Sequence, residues 1–165
     1  MDKDAYRLGI AELYTAEVLG EGLASRWLQL ATDPDQKYKL GLFLQLESEA
    51  KVRLRPMLAR HGLSLVEDES TRAAGAAAAE RFAQMPWKEA MKILAELALP
   101  YQRRFQALSE VAAPEDLPLV VFMANHEQSV IDMAQREAAG EGGMERKLMV
   151  MLAHPLIRSA PAPRV

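Results

Sequence analysis

Along residues 4–31 the apolar positions Tyr6, Ile10, Leu13, Gly20, Ala24, Trp27 and Leu28 recur at three- and four-residue steps. That is the period of one helix face, and it predicts a first long helix. Thr32-Asp33-Pro34-Asp35 follows, an N-cap candidate before a proline at the first helical position, where its missing N–H costs nothing. The second helix starts there, carries Leu40, Phe43, Ala50, Leu54 and Leu58 inward, and stops at His61-Gly62, with a kink expected at Pro56. Pro86-Trp87 opens a third helix with Trp87, Met91, Leu94, Ala98, Tyr101, Phe105 and Leu108 on one face and a bend expected at Pro100. Ala113-Pro114-Glu115-Asp116 marks the start of a fourth, which runs to Gly140 with Val120, Met123, Val130 and Ala134 inward.

Between the second and third helices, residues 62–84 hold the acidic turn Glu67-Asp68-Glu69-Ser70 and an alanine-rich run anchored by Phe82. They read as a long connection containing a short helix, since alanine is the best helix former. After Glu141-Gly142-Gly143, a short helix over residues 144–153 is closed by Pro155, and the proline-rich residues 159–165 are expected to be loose. The pattern therefore predicts an all-α chain: an antiparallel four-helix bundle over residues 1–154 with a long second connection and a short C-terminal helix, then a flexible tail over 155–165. No strand pattern competes.

Composition narrows the function classes. A chain of 165 residues with 50% hydrophobic and 26% charged residues fits one globular domain. The absence of cysteine excludes thiolate metal sites, disulfides and a cysteine nucleophile. A net charge of −3 without basic runs argues against nucleic acid as a partner, and no stretch is apolar enough to span a bilayer. Met1-Asp2-Lys3-Asp4 lacks the basic and apolar regions of a signal peptide, which gives the expectation of a cytoplasmic protein. Glycine-rich phosphate loops, nucleophile elbows and His-Glu-x-x-His patterns do not occur.

Three acids fall inside apolar arcs. Glu17 lies between Leu13, Gly20 and Ala24, Glu47 between Phe43, Ala50 and Leu54, and Glu127 between Met123, Val130 and Ala134. A carboxylate at a core position is costly unless it is paired, hydrogen-bonded, protonated or metal-bound. Leu46-Glu47-Ser48-Glu49-Ala50 and Asn125-His126-Glu127-Gln128-Ser129-Val130 resemble the second- and fourth-helix motifs of the ferritin-like (rubrerythrin, di-iron carboxylate) superfamily, and Gly20-Glu21 is similar to its first helix. The resemblance covers most of residues 4–140 and implies a ferritin-like bundle with Glu17, Glu47 and Glu127 around Fe, Mn or another divalent metal; Glu21, Glu80 and His126 are candidate additions. The chain departs from that pattern: Ala50 and Val130 stand where the family has histidine, and the third helix turns leucine inward while Glu89 and Glu96 point away. The metal motif is degenerate.

Two readings of the acids stay open from sequence: a carboxylate-rich metal site, or buried acids paired with Arg53, Arg104, Tyr14 or Tyr101. The functional expectation is accordingly a ferritin-like bundle with a degenerate centre acting by binding or assembly. The alternative is a metal-dependent oxidoreductase or metal-handling protein. A third reading, a small apolar ligand between the helices, would predict a cavity lined by Met and Trp, although the nine methionines are more simply core filler. His61 and His154 take no chemical role, and the apolar segment 147–152 is expected to pack on the bundle or on a second copy in a homodimer.

Overall fold

The computed structural model describes residues 3–143 and 145–158, and within them the chain is six helices without a strand. The first is α1 (Lys3–Leu30), followed after a three-residue link by α2 (Pro34–Arg60). Asp33 caps α2, its carboxylate accepting from the Asp35 and Gln36 N–H groups, and Gly62 ends it at a φ of 63° that a side chain would disfavour. Then come α3 (Glu69–Phe82), α4 (Trp87–Ser109), α5 (Leu117–Ala139) and the short α6 (Glu145–Met149). Pro56 and Pro100 lie inside α2 and α4; the carbonyls they cannot engage, of Val52 and Glu96, belong to exposed residues, so water can satisfy them.

The main pairings are α4 along α5 and α1 along both α3 and α2, and the two groups meet through α1 with α4 and α2 with α5. Two clusters fill the core, one around Trp27, Phe43, Met91 and Leu94, the other around Ile10, Leu54, Met57 and Phe105. Helix α6 closes one side against α2 and α5 through Leu148, which is fully buried, while Val150 stays exposed. It is shorter than residues 144–153: the helix ends at Met149 and residues 150 and 151 form turns, with Met144 outside the described residues. Residues 153–158 then run along α2, where Gln45 and Glu49 bond Leu156 and Ala153 and Arg158 stacks over Tyr38.

The alanine-rich stretch corrects the expected connection. It is a 14-residue helix capped by Asp68, which accepts from the Ser70 and Thr71 N–H groups. It packs on α1 by close backbone approach rather than by large side chains. A Cβ at Gly75 would run into the Leu19 carbonyl oxygen, and one at Gly22 into that of Arg72. The described residues thus form five substantial helices, not four.

Ionic networks tie these helices together. Lys51 bridges Glu21 (2.6 Å) and Glu67 (2.7 Å), and Arg72 engages the same two acids. Lys39 joins Asp35 and Glu137, whose second oxygen accepts from the Trp87 indole N–H at 2.9 Å. Asp116, fully buried before α5, takes Arg60 at 2.7 Å, His61 Nε2 at 2.6 Å and the Tyr6 hydroxyl at 3.1 Å, giving His61 a structural partner. Burial alone would raise the Asp116 pKa, but these three donors outweigh it and hold it below the ordinary 3.8. The stability it contributes is therefore present above about pH 4 and is lost as pH falls through its folded value. Asp116→Asn should cost about 2 kcal/mol at neutral pH and flatten the acid limb of a denaturation curve; equal acid limbs in both proteins would refute this.

Candidate metal centre

Glu17 rises from the middle of α1, Glu47 from the middle of α2 and His126 from α5, each on the face its helix turns to the core. Their relative exposures are 0%, 4% and 1%, so bulk water solvates none of them. One ligand atom from each lies within 4.8 Å of the other two; His126 Nε2 is 3.1 Å from Glu47 Oε1 and 3.4 Å from Glu17 Oε2. Donors bound to one small divalent ion at 2.0–2.2 Å stand roughly 3–3.5 Å apart, so the three need little movement to share an ion. Gly20, one turn along α1, makes room for this: a Cβ there would occupy the position of the Glu47 carboxylate.

Polar satisfaction is incomplete at this point. Among the described residues no donor satisfies either Glu17 oxygen, and His126 Nδ1 also lacks a partner. Burial, the charges of Glu47 and Glu127, and the hydrogen bond that a protonated Glu17 gives Glu47 push the Glu17 pKa well above 4.5. Burial, reinforced by the Glu47 charge and opposed by His126, takes Glu127 up to about 8. For His126, burial works against the cation, but the Glu47 charge and hydrogen bond and the Glu127 charge outweigh it, and its pKa lies above the ordinary value. In the two acids burial is the largest cause and the neighbouring carboxylates add to it, whereas in His126 those carboxylates overcome it.

The expected set was Glu17, Glu47 and Glu127; the residues whose donor atoms converge are Glu17, Glu47 and His126. Glu127 is buried beside them and makes no hydrogen bond or ion pair among the described residues. Glu21 is already engaged by Ser48, Lys51 and Arg72, which overcome its burial and hold its pKa at about 2. Glu80 pairs with Arg26 at the surface. The arginines and Tyr14 weighed as partners for the inward acids serve elsewhere: Arg53 with Glu49 and the Phe122 ring, Arg104 with Glu12 and the Tyr101 ring, Tyr14 with Glu67.

Next to the centre is a cavity of about 90 Å³ with Phe43, Leu94 and Ala98 in its walls and Glu47, Glu127 and Tyr101 as its polar lining residues. Its rim includes Leu97, 54% exposed, and the partly exposed Ala78, so it communicates with solvent. Neither Met nor Trp lines it. Chemically, two carboxylates and an imidazole can hold a divalent ion and leave coordination positions open, as catalytic sites with three protein ligands do.

No helix among the described residues is long and apolar enough to cross a membrane. Compared with known proteins, the chain matches no family model, no curated protein and no solved structure.

Proposed function

We propose that this chain is a ferritin-like helical bundle that holds one divalent cation on Glu17, Glu47 and His126. The observation that carries the reading is Glu17, wholly buried, with no donor for either oxygen, converging with two further ligand groups. An uncompensated buried carboxylate costs several kcal/mol, and a shared cation removes that cost for all three residues at once. The ferritin-like reading rests on the two helix pairs, α1 with α2 and α4 with α5, joined by a crossing segment that contains α3.

The donor set differs from the dinuclear pattern of that superfamily. The imidazole comes from the residue before Glu127, not from the positions of Ala50 and Val130, and α4 turns no acid inward. A single ion fits better than a pair. Two carboxylates with one imidazole suit Mn²⁺, Fe²⁺ or Zn²⁺, whereas Mg²⁺ prefers oxygen and water. Such an ion would supply Lewis acidity and, with Fe or Mn, one-electron chemistry.

The second reading is a degenerate centre in which protonated Glu17 bonds Glu47, Glu47 pairs with His126, and the protein acts through binding or assembly. The raised Glu17 pKa favours it. Melting curves separate the two. At a hundredfold excess over Kd, Mn²⁺ or Zn²⁺ should raise the melting temperature by about 5–10 °C, with Mg²⁺ giving much less. No shift with any ion, and no metal in the purified protein by elemental analysis, would leave the degenerate centre standing.

A further inference from the structure

We infer that the cavity beside the cation centre binds a short primary alkylammonium, its head at Glu47 and Glu127 and its chain against Phe43, Leu94 and Ala98; the inference rests on the divalent-cation reading, with which it shares Glu47. Glu127 provides the first argument. It is 8% exposed, lines the cavity together with Tyr101, and makes no side-chain hydrogen bond among the described residues, so its oxygens can accept from a ligand with N–H groups. Charge provides the second. Elsewhere in the interior acids and bases match: Glu21 and Glu67 with Lys51 and Arg72, Glu137 with Lys39, Asp116 with Arg60. Among the described residues, only here do three carboxylates, Glu17, Glu47 and Glu127, gather around one histidine, and no described Lys, Arg or His lines the cavity. The two cavity carboxyls offer acceptors to an ammonium head and would repel an anion.

Size and shape set the rest. An apolar cavity of about 150 Å³ takes benzene, so this one, at about 90 Å³, suits a chain of roughly four heavy atoms. Small residues create the space: Ala98 of α4, with Ala78 of α3 at the rim. A neutral alcohol of the same length has one donor instead of three and no charge, so it should bind far less well.

The test is calorimetric titration of Mn²⁺-loaded protein with ethyl-, propyl- and butylammonium and with 1-butanol. Affinity should rise about fourfold per methylene while the chain is being buried, and 1-butanol should bind at least tenfold more weakly than butylammonium. Glu127→Gln should lose at least tenfold in butylammonium affinity yet take up Mn²⁺ as before. Ala78→Phe, at the half-exposed rim, should block the amine and leave Mn²⁺ binding intact. Mn²⁺ uptake without amine binding, or amine binding indifferent to Glu127→Gln, overturns this inference and spares the metal reading; protein that takes up no Mn²⁺ overturns both.

Discussion

Replacing Glu17 with glutamine should give a protein that is more stable than the native chain without metal and is no longer stabilised by Mn²⁺. The carboxylate is fully buried and receives no hydrogen bond, so its native-state cost is the cost of holding that group away from water. Glutamine is nearly the same size, needs no proton or cation, and its amide could donate to Glu47 as a protonated Glu17 would. The gain should be roughly 1–3 kcal/mol in metal-free buffer, several degrees in melting temperature. With one anionic ligand gone, the Mn²⁺-dependent rise should shrink to near zero. The pH dependence carries the same signature. Glu17 and Glu127 have folded pKa values above the ordinary 4.5, Glu127 at about 8, so both bind protons more tightly folded than unfolded. Their contribution is most favourable below about pH 4.5 and is lost as pH rises toward 8. Metal-free native protein should therefore weaken across that interval, and Glu17→Gln should weaken less. A variant that is less stable without metal, with the same pH slope, would mean that Glu17 is satisfied in the fold after all.

Gly75→Val should be the most destabilising single substitution on the outer side of the bundle. The valine side chain would have to enter the space of the Leu19 carbonyl and the Leu23 N–H of α1, and these are backbone atoms that cannot turn aside as a side chain could. Either α3 lifts from α1 or α1 bends, and overpacking of this kind costs about 3 kcal/mol or more, roughly 6–12 °C. Ala77→Val on the same helix is the control: position 77 is exposed, so only the weaker helix propensity counts, under about 1 kcal/mol. If both variants melt alike, the close α1–α3 crossing does not hold in solution.

That crossing also shows where sequence pattern stops being informative. Helices α1, α2, α4 and α5 were legible because large apolar residues repeat at helical spacing and because Asp33-Pro34, Gly62 and Gly140 punctuate their ends. Helix α3 buries only Gly75, Ala79 and Phe82, so its packing leaves almost no hydrophobic period; closeness of backbones replaces side-chain volume. Its cap was visible as Asp68-Glu69-Ser70, yet an acidic cluster reads equally well as a turn.

At the centre, Glu17 and Glu47 could be found by placing residues around the helix axis, since each interrupts an apolar arc, Leu13, Gly20 and Ala24 in one case and Phe43, Ala50 and Leu54 in the other. His126 lies off the stripe of Met123, Val130 and Ala134 and looked marginal for that reason. Helix α5 has a second buried stripe, His126, Met133 and Glu137, because α2 and α6 also pack against it. The spacing of seven and then four residues was in the sequence, but nothing local said that this side would be covered. Sequence spacing likewise could not say that Glu21 would be taken by Lys51 and Arg72, which arrive from α2 and α3.

The most direct test of a cation held by Glu17, Glu47 and His126 is electron spin-echo spectroscopy of the protein loaded with one equivalent of Mn²⁺. Coupling to a single directly bound imidazole nitrogen is expected, absent in His126→Gln and unchanged in a variant of the exposed His154. Bound Mn²⁺ without nitrogen coupling, or coupling that survives His126→Gln, would place the ion elsewhere and rule out a cation on Glu17, Glu47 and His126.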